Sequence, residues 1–236
     1  MAEGPAGPSL RDRLAHSLTS PAGTTLLLAV AFALLLVAGP AGYGFGLLAV
    51  GAILWATRWD WPRFGLARPA SGRLAPMARR ALLWTLGAFL LVDLALAPAV
   101  EQLTERPHDL SAFAELEGDP FAWLALSAFM WITAAFGEEL VFRGFLQREL
   151  ARLLGDGTPG RIAATGVTAV FFGAVHLYQG VSGVVTTGVL GLLLGVLFWR
   201  EGGRLLPCIL VHGFYDMIGI TLIFLGLVDT STPGAR

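Results

Sequence analysis

Residues 121–143 read FAWLALSAFMWITAAFGEELVFR, an apolar run that ends in two adjacent glutamates, Glu138 and Glu139, followed by Arg143. A helix needs about 20 mostly apolar residues to cross a bilayer. The stretch from Phe121 to Leu140 supplies them if its two carboxylates can be tolerated. Each carboxylate in a span costs about 2.5 kcal/mol or more on insertion scales. Charge placed there needs a partner or a function.

The rest of the chain agrees with a membrane reading. Of its 236 residues, 55% are hydrophobic and 14% charged, and the mean hydropathy is +0.68. Soluble domains are about 25% charged. Seven spans are predicted, over 23–39, 42–57, 81–100, 120–140, 163–180, 183–199 and 205–228. Arg11 and Arg13 ahead of the apolar run Thr24–Ala38 resemble a secretory signal. A second apolar run, Tyr43–Ala56, follows at once, so the first is predicted to be a retained span. The fold class is all-α, a polytopic transmembrane bundle of about seven to eight helices around a polar intramembrane cavity. The predicted segments are 1–22 (cytoplasmic), 23–118 (N-terminal spans with an Arg-rich loop), 119–228 (the reactive core) and 229–236 (a tail).

Loop charge sets the expected orientation. The 58–80 loop carries Arg58, Arg63, Arg68, Arg73, Arg79 and Arg80 against Asp60 alone. It is predicted cytoplasmic, with possible attraction to anionic lipid. The loop after the third span carries Glu101, Glu105, Asp109, Glu115, Glu117 and Asp119 against Arg106, and is predicted to face outward. Arg143, Arg148, Arg152, Arg161, Arg200 and Arg204 mark the inner side again. The N-terminus is then cytoplasmic, in a multi-pass protein of a bacterial cytoplasmic membrane. A net charge of −1 gives no basis for nucleic-acid binding, and the single Cys208 excludes an internal disulfide or a cysteine metal cluster.

Gly155-Asp156-Gly157-Thr158-Pro159-Gly160 is a strong turn signal. An antiparallel helical hairpin about residue 157 pairs residue i with 314 − i, which places Glu138 beside His176. On the first helix Glu139 and Arg143 are i,i+4 and can pair. Adjacent residues point about 100° apart, so Glu138 faces elsewhere. Phe172 lies one turn before His176 and is predicted to wall the same site. In the last span His212 and Asp216 are i,i+4, and Asp216 could orient the imidazole or contact substrate.

One carboxylate base, two imidazoles and a second carboxylate suit water activation for amide hydrolysis. Glu138 would take the proton from water and return it to the leaving amine. His176 and His212 would position the water and stabilise the oxyanion. Glu138, His176 and His212 also suit zinc as a two-His-one-carboxylate set, and spacing does not choose. Two other readings share the cleft: a peptide-binding, immunity-type membrane protein that does not cut, and a proton-coupled transporter. Asp93 in the third span fits a transporter, and its plain reading is a helix–helix hydrogen bond. No inverted repeat of the carrier kind is visible. The glycines at 173, 180, 183, 188, 191 and 195 fit close helix approach or a gap between helices.

Three motifs, Glu138-Glu139…Arg143, Phe172…His176 and His212…Asp216, resemble in order those of the CAAX-protease and bacteriocin-processing (CPBP) family of intramembrane proteases. The resemblance spans about residues 121–220. It implies an endopeptidase acting on membrane-associated peptides or C-terminal tails. It implies Glu138, His176, His212 and Asp216 as catalytic, with Glu139, Arg143 and Phe172 supporting. Family members are described both as metalloproteases and as glutamate proteases. The eukaryotic prenyl-protein branch usually carries Asn at the fourth position, and Asp216 departs from that branch while fitting the wider family. The implied partners are the lipid bilayer and a peptide or protein substrate.

Overall fold

Helix caps divide the chain where the sequence places Ser, Asp, Gly and Pro. The computed structural model describes residues 7–230, so 1–6 of the predicted N-terminal segment and 231–236 of the predicted tail lie outside the described residues. Ser9 caps α1 (Leu10–Thr19) by accepting from the Asp12 N–H. Ser20 caps α2 (Pro21–Ala38), which starts on proline. Gly39, at φ 45°, turns the chain into α3 (Pro40–Ala56). Then come α4 (Leu74–Thr104) and α5 (Pro120–Leu153). The Asp119 carboxylate caps α5 by accepting from the Phe121 and Ala122 N–H groups. The chain continues through α6 (Thr158–Ala174), α7 (Gly180–Arg200) and α8 (Leu205–Phe224). The described residues hold no strand.

Among the described residues five stretches of 18 or more residues are apolar enough to cross a membrane: α2, α4, α5, Leu177–Arg200 with α7, and α8. The helix at Ala41–Ala56 is apolar but shorter. α6 stops at Ala174 after 17 residues because the chain turns at Val175 and His176. The protein is an integral, multi-pass membrane protein. Its surface is the inverse of a soluble one. Leu26, Leu48, Leu90, Phe129, Ile132 and Val170 are exposed, whereas Glu139, Arg143, Gln147, Ser182 and His212 are buried. Polar groups in a bundle face inward because lipid cannot solvate them.

α6 packs along α7, α2 on α3 and α8 on α4, while α5 threads the centre against α3, α6, α7 and α8. Phe142, Phe145, Phe172 and Phe198 form the heart of the core. A smaller cluster of Leu116, Ile220 and Ile223 lies under the 111–118 loop. The loops sort into two ends. At one, Arg63 meets the buried Glu149 at 2.9 Å, Arg80 meets Glu201 at 3.1 Å, and the Leu205 N–H bonds the Gly65 carbonyl. At the other, the Asp109 N–H bonds the Gln179 carbonyl and the Gly118 N–H bonds the Phe224 carbonyl. This is the grouping that the loop charges require.

Candidate active site

The turn between α5 and α6 uses Gly155 and Asp156 at positive φ, 97° and 50°. Beyond it the two helices run antiparallel. The Phe142 ring meets the Phe172 ring at 5.0 Å, and the Thr168 hydroxyl donates to the Gln147 side chain at 3.4 Å. These pairs follow the predicted register to within one residue over this part of the hairpin. Through Trp131–Glu138 and again through Leu140–Gln147, α5 widens to i→i+5 hydrogen bonding. Such wide turns recur at functional sites because they re-aim side chains.

Glu139 is the centre of the polar cluster. Its Oε1 accepts from Arg143 at 2.7 Å and lies 2.9 Å from His212 Nδ1. The other guanidinium nitrogen donates to the Gly191 carbonyl at 3.0 Å, and the Phe172 ring centre lies 4.4 Å from Arg143 Cζ. The i,i+4 pair of Glu139 with Arg143 is present as predicted. The tie from Glu139 to His212 is not foreseen by spacing. Asp216, the expected orienting group, has Oδ2 3.6 Å from His212 Nε2, beyond hydrogen-bond length. Sharing a helix face brings Asp216 near the imidazole, but Glu139 on another helix comes nearer. Gly213 explains how: a Cβ there would overlap the Trp131 ring. The absence of a side chain beside His212 lets α5 and α8 close on each other. Gly191 makes similar room for Phe172, with Phe172 atoms starting 3.0 Å from a Cβ built there. The close-approach reading of the glycines holds at Gly191.

Glu138 is directed differently. Its Oε2 is buried with no hydrogen-bond partner. The buried Asp216 Oδ2 also lacks a hydrogen bond. His176 follows the end of α6, and its Nδ1 lies 2.7 Å from the Phe172 carbonyl oxygen. A carbonyl only accepts, so Nδ1 carries the proton of this bond, and in the neutral ring Nε2 is left as a lone-pair acceptor. Phe172 sits 5.1 Å from the His176 ring and 5.9 Å from the His212 ring. Its ring therefore touches both imidazoles.

Three neighbours escape sequence reasoning. The Tyr215 hydroxyl donates to Asp93 Oδ2 at 2.6 Å, so Asp93 makes the helix–helix hydrogen bond of its plain reading. The Tyr43 hydroxyl donates to the Thr133 carbonyl at 2.8 Å and packs over Gly137, where a Cβ would overlap it. Trp131 covers Gly213. The only available signal was general: buried tyrosine and tryptophan in spans seek a polar partner for their tips. The zinc set is not assembled. Among the described residues no group of three or more His, Cys, Asp or Glu is placed to hold a metal ion.

Residues 120–218 match the Rce1-like family, described as type II CAAX prenyl endopeptidase Rce1-like. The match covers under half of the chain and contains all three motifs, from the start of α5 to just beyond Asp216. It bears out the resemblance to the CAAX-protease family read from those motifs. No curated protein and no solved structure matches the chain.

Proposed function

We propose that this chain, whose residues 120–218 match the Rce1-like family, is an intramembrane endopeptidase that hydrolyses a peptide bond of a membrane-associated peptide or C-terminal tail. The observation that carries the reading is a cluster of buried carboxylate oxygens without hydrogen-bond partners, on Glu138, Glu139 and Asp216, around the contacts of Glu139 Oε1 with Arg143 and His212. An unpaired buried carboxylate weakens a fold. Such groups persist where chemistry needs them.

In this reading Glu138 takes a proton from water as the water oxygen attacks the scissile carbonyl carbon. It returns that proton to the amine as the C–N bond breaks. His176 holds the same water by accepting a hydrogen bond at Nε2. His212, protonated and gripped through Nδ1 by Glu139, donates from Nε2 to the developing oxyanion. Asp216 faces that nitrogen and balances its charge. The oxyanion role thus moves to His212 alone, because the Nδ1–H of His176 is spent on Phe172. Leu177 and Tyr178, 67% and 58% exposed next to His176, mark the lateral side from which a peptide would arrive. The Arg-rich end faces the cytosol in this arrangement.

The test is cleavage of quenched-fluorescent membrane peptides by purified chain in liposomes. Glu138→Gln and His176→Ala should each lower kcat by about 10²–10⁴-fold. Full activity in both variants would sink the mechanism. A peptide that binds the unmodified protein without being cut would favour the immunity-type reading. Cleavage should survive a chelator, and a loss restored by Zn²⁺ would contradict the glutamate route.

A further inference from the structure

We propose that the Arg-rich end of the bundle holds one anionic phospholipid, its phosphate in a pocket between the 65–76 loop and the start of α8, and an acyl chain in a groove along α4. A cavity of about 520 Å³ there is lined by Arg68, Arg73, Arg80 and Arg204 over an apolar floor that includes Met77 and Pro207. Among the described residues only Arg80 of these four has a carboxylate partner, Glu201. Arg68, Arg73 and Arg204 therefore leave positive charge unneutralised at the membrane boundary. Guanidinium groups converging on one pocket suit the oxygens of a phosphate. Basic pockets at the inner ends of membrane helices take anionic headgroups.

The second part lies further along α4. A cavity of about 350 Å³ is lined by Leu83, Trp84, Gly87, Leu91 and Leu193, among others. Trp84 lies one helical turn beyond Arg80 on the same face of α4, and the Arg200 guanidinium sits 5.8 Å from its ring centre. From Arg80 to Leu91 the helix rises about 16 Å. That is about half of the ~30 Å hydrocarbon core, the depth of one leaflet. Gly87 has nothing within 4 Å of a Cβ built on it. Glycine is a poor helix former, and no close packing requires it at this position, so it serves to keep the groove open. Charge at the mouth and an apolar slot of leaflet depth together specify a diacyl phosphate amphiphile rather than a soluble anion.

The test is native mass spectrometry of the full chain in neutral detergent, titrated with palmitoyl-oleoyl phosphatidylglycerol or with phosphatidylcholine of the same chains. Phosphatidylglycerol should bind the more tightly. Arg73→Gln with Arg204→Gln should weaken it roughly 25-fold, from the attraction of two basic residues. Arg73→Lys with Arg204→Lys, which keeps the charge and guards against misfolding as the cause, should retain most of it. Gly87→Leu should fill the groove and weaken phosphatidylglycerol while leaving inorganic phosphate binding unchanged. Equal binding of the two lipids would overturn the proposal. So would an equal loss in the control pair Arg13→Gln with Arg106→Gln, or complete displacement of lipid by inorganic phosphate, which would mark a free-phosphate site.

Discussion

Replacing Glu139 with leucine removes the acceptor that Arg143 and His212 share, at 2.7 and 2.9 Å. Arg143, 1% exposed, would then be a buried cation with the Gly191 carbonyl and the Phe172 ring as its remaining contacts. Breaking a buried pair from one side costs about 3–5 kcal/mol. The surviving contacts put the expected loss near the lower end, about 3 kcal/mol. Arg143→Leu should cost a similar amount, since it leaves Glu139 buried with only His212. The double variant removes both charges and fills the space with apolar volume, an exchange that is often neutral. Its stability should fall short of the summed single losses by at least about 2 kcal/mol. Cleavage should behave differently. His212 loses its Nδ1 anchor in the single Glu139 variant and in the double variant alike. Both should stay down by about 10²–10⁴-fold in kcat, the scale seen when the carboxylate partner of a catalytic histidine is lost. Denaturant unfolding in micelles, followed by tryptophan fluorescence, reads the first quantity, and peptide cleavage reads the second. Additive stability losses would refute the coupled pair. Recovery of cleavage in the double variant would refute the anchoring of His212 by Glu139.

Other outcomes follow from single contacts. Glu138→Gln should lower cleavage as above yet raise unfolding free energy by about 1–3 kcal/mol, because it removes charge from a buried oxygen with no partner; a destabilised variant would show that Glu138 is structurally engaged. Tyr215→Phe should cost about 1–3 kcal/mol by stranding Asp93, measured by the same unfolding experiment. Asp93→Asn should leave cleavage intact and proton flux in liposomes at the lipid background, and flux that depends on Asp93 would revive the transporter reading. Gly213→Ala should cost about 1–3 kcal/mol through overlap with Trp131, and Trp131→Leu in the same chain should recover part of that loss.

Apolar length and loop charge by themselves determine that the chain enters a membrane, and the Gly155–Gly160 turn determines the α5–α6 hairpin. Both are local properties: span length is a count along the chain, and a turn is set by the few residues that make it. The Glu139–Arg143 pair is legible for the same reason, since helix geometry alone brings i and i+4 together. The end of α6 was not legible. Where α6 ends depends on the turn at Val175 and His176, not on hydropathy. The partner of His212 was not legible either. Asp216 is near it in sequence, but distance between helices depends on how closely α5 and α8 approach. That approach rests on Gly213 under Trp131 and on the widened turns of α5, which shift the faces its residues present. Likewise, the motif names His176, but only its contact with the Phe172 carbonyl assigns the proton to Nδ1 and leaves Nε2 to accept. Spacing along one helix fixes neighbours on that helix. Neighbours across helices follow from rotation, depth and packing, and these belong to the assembled bundle.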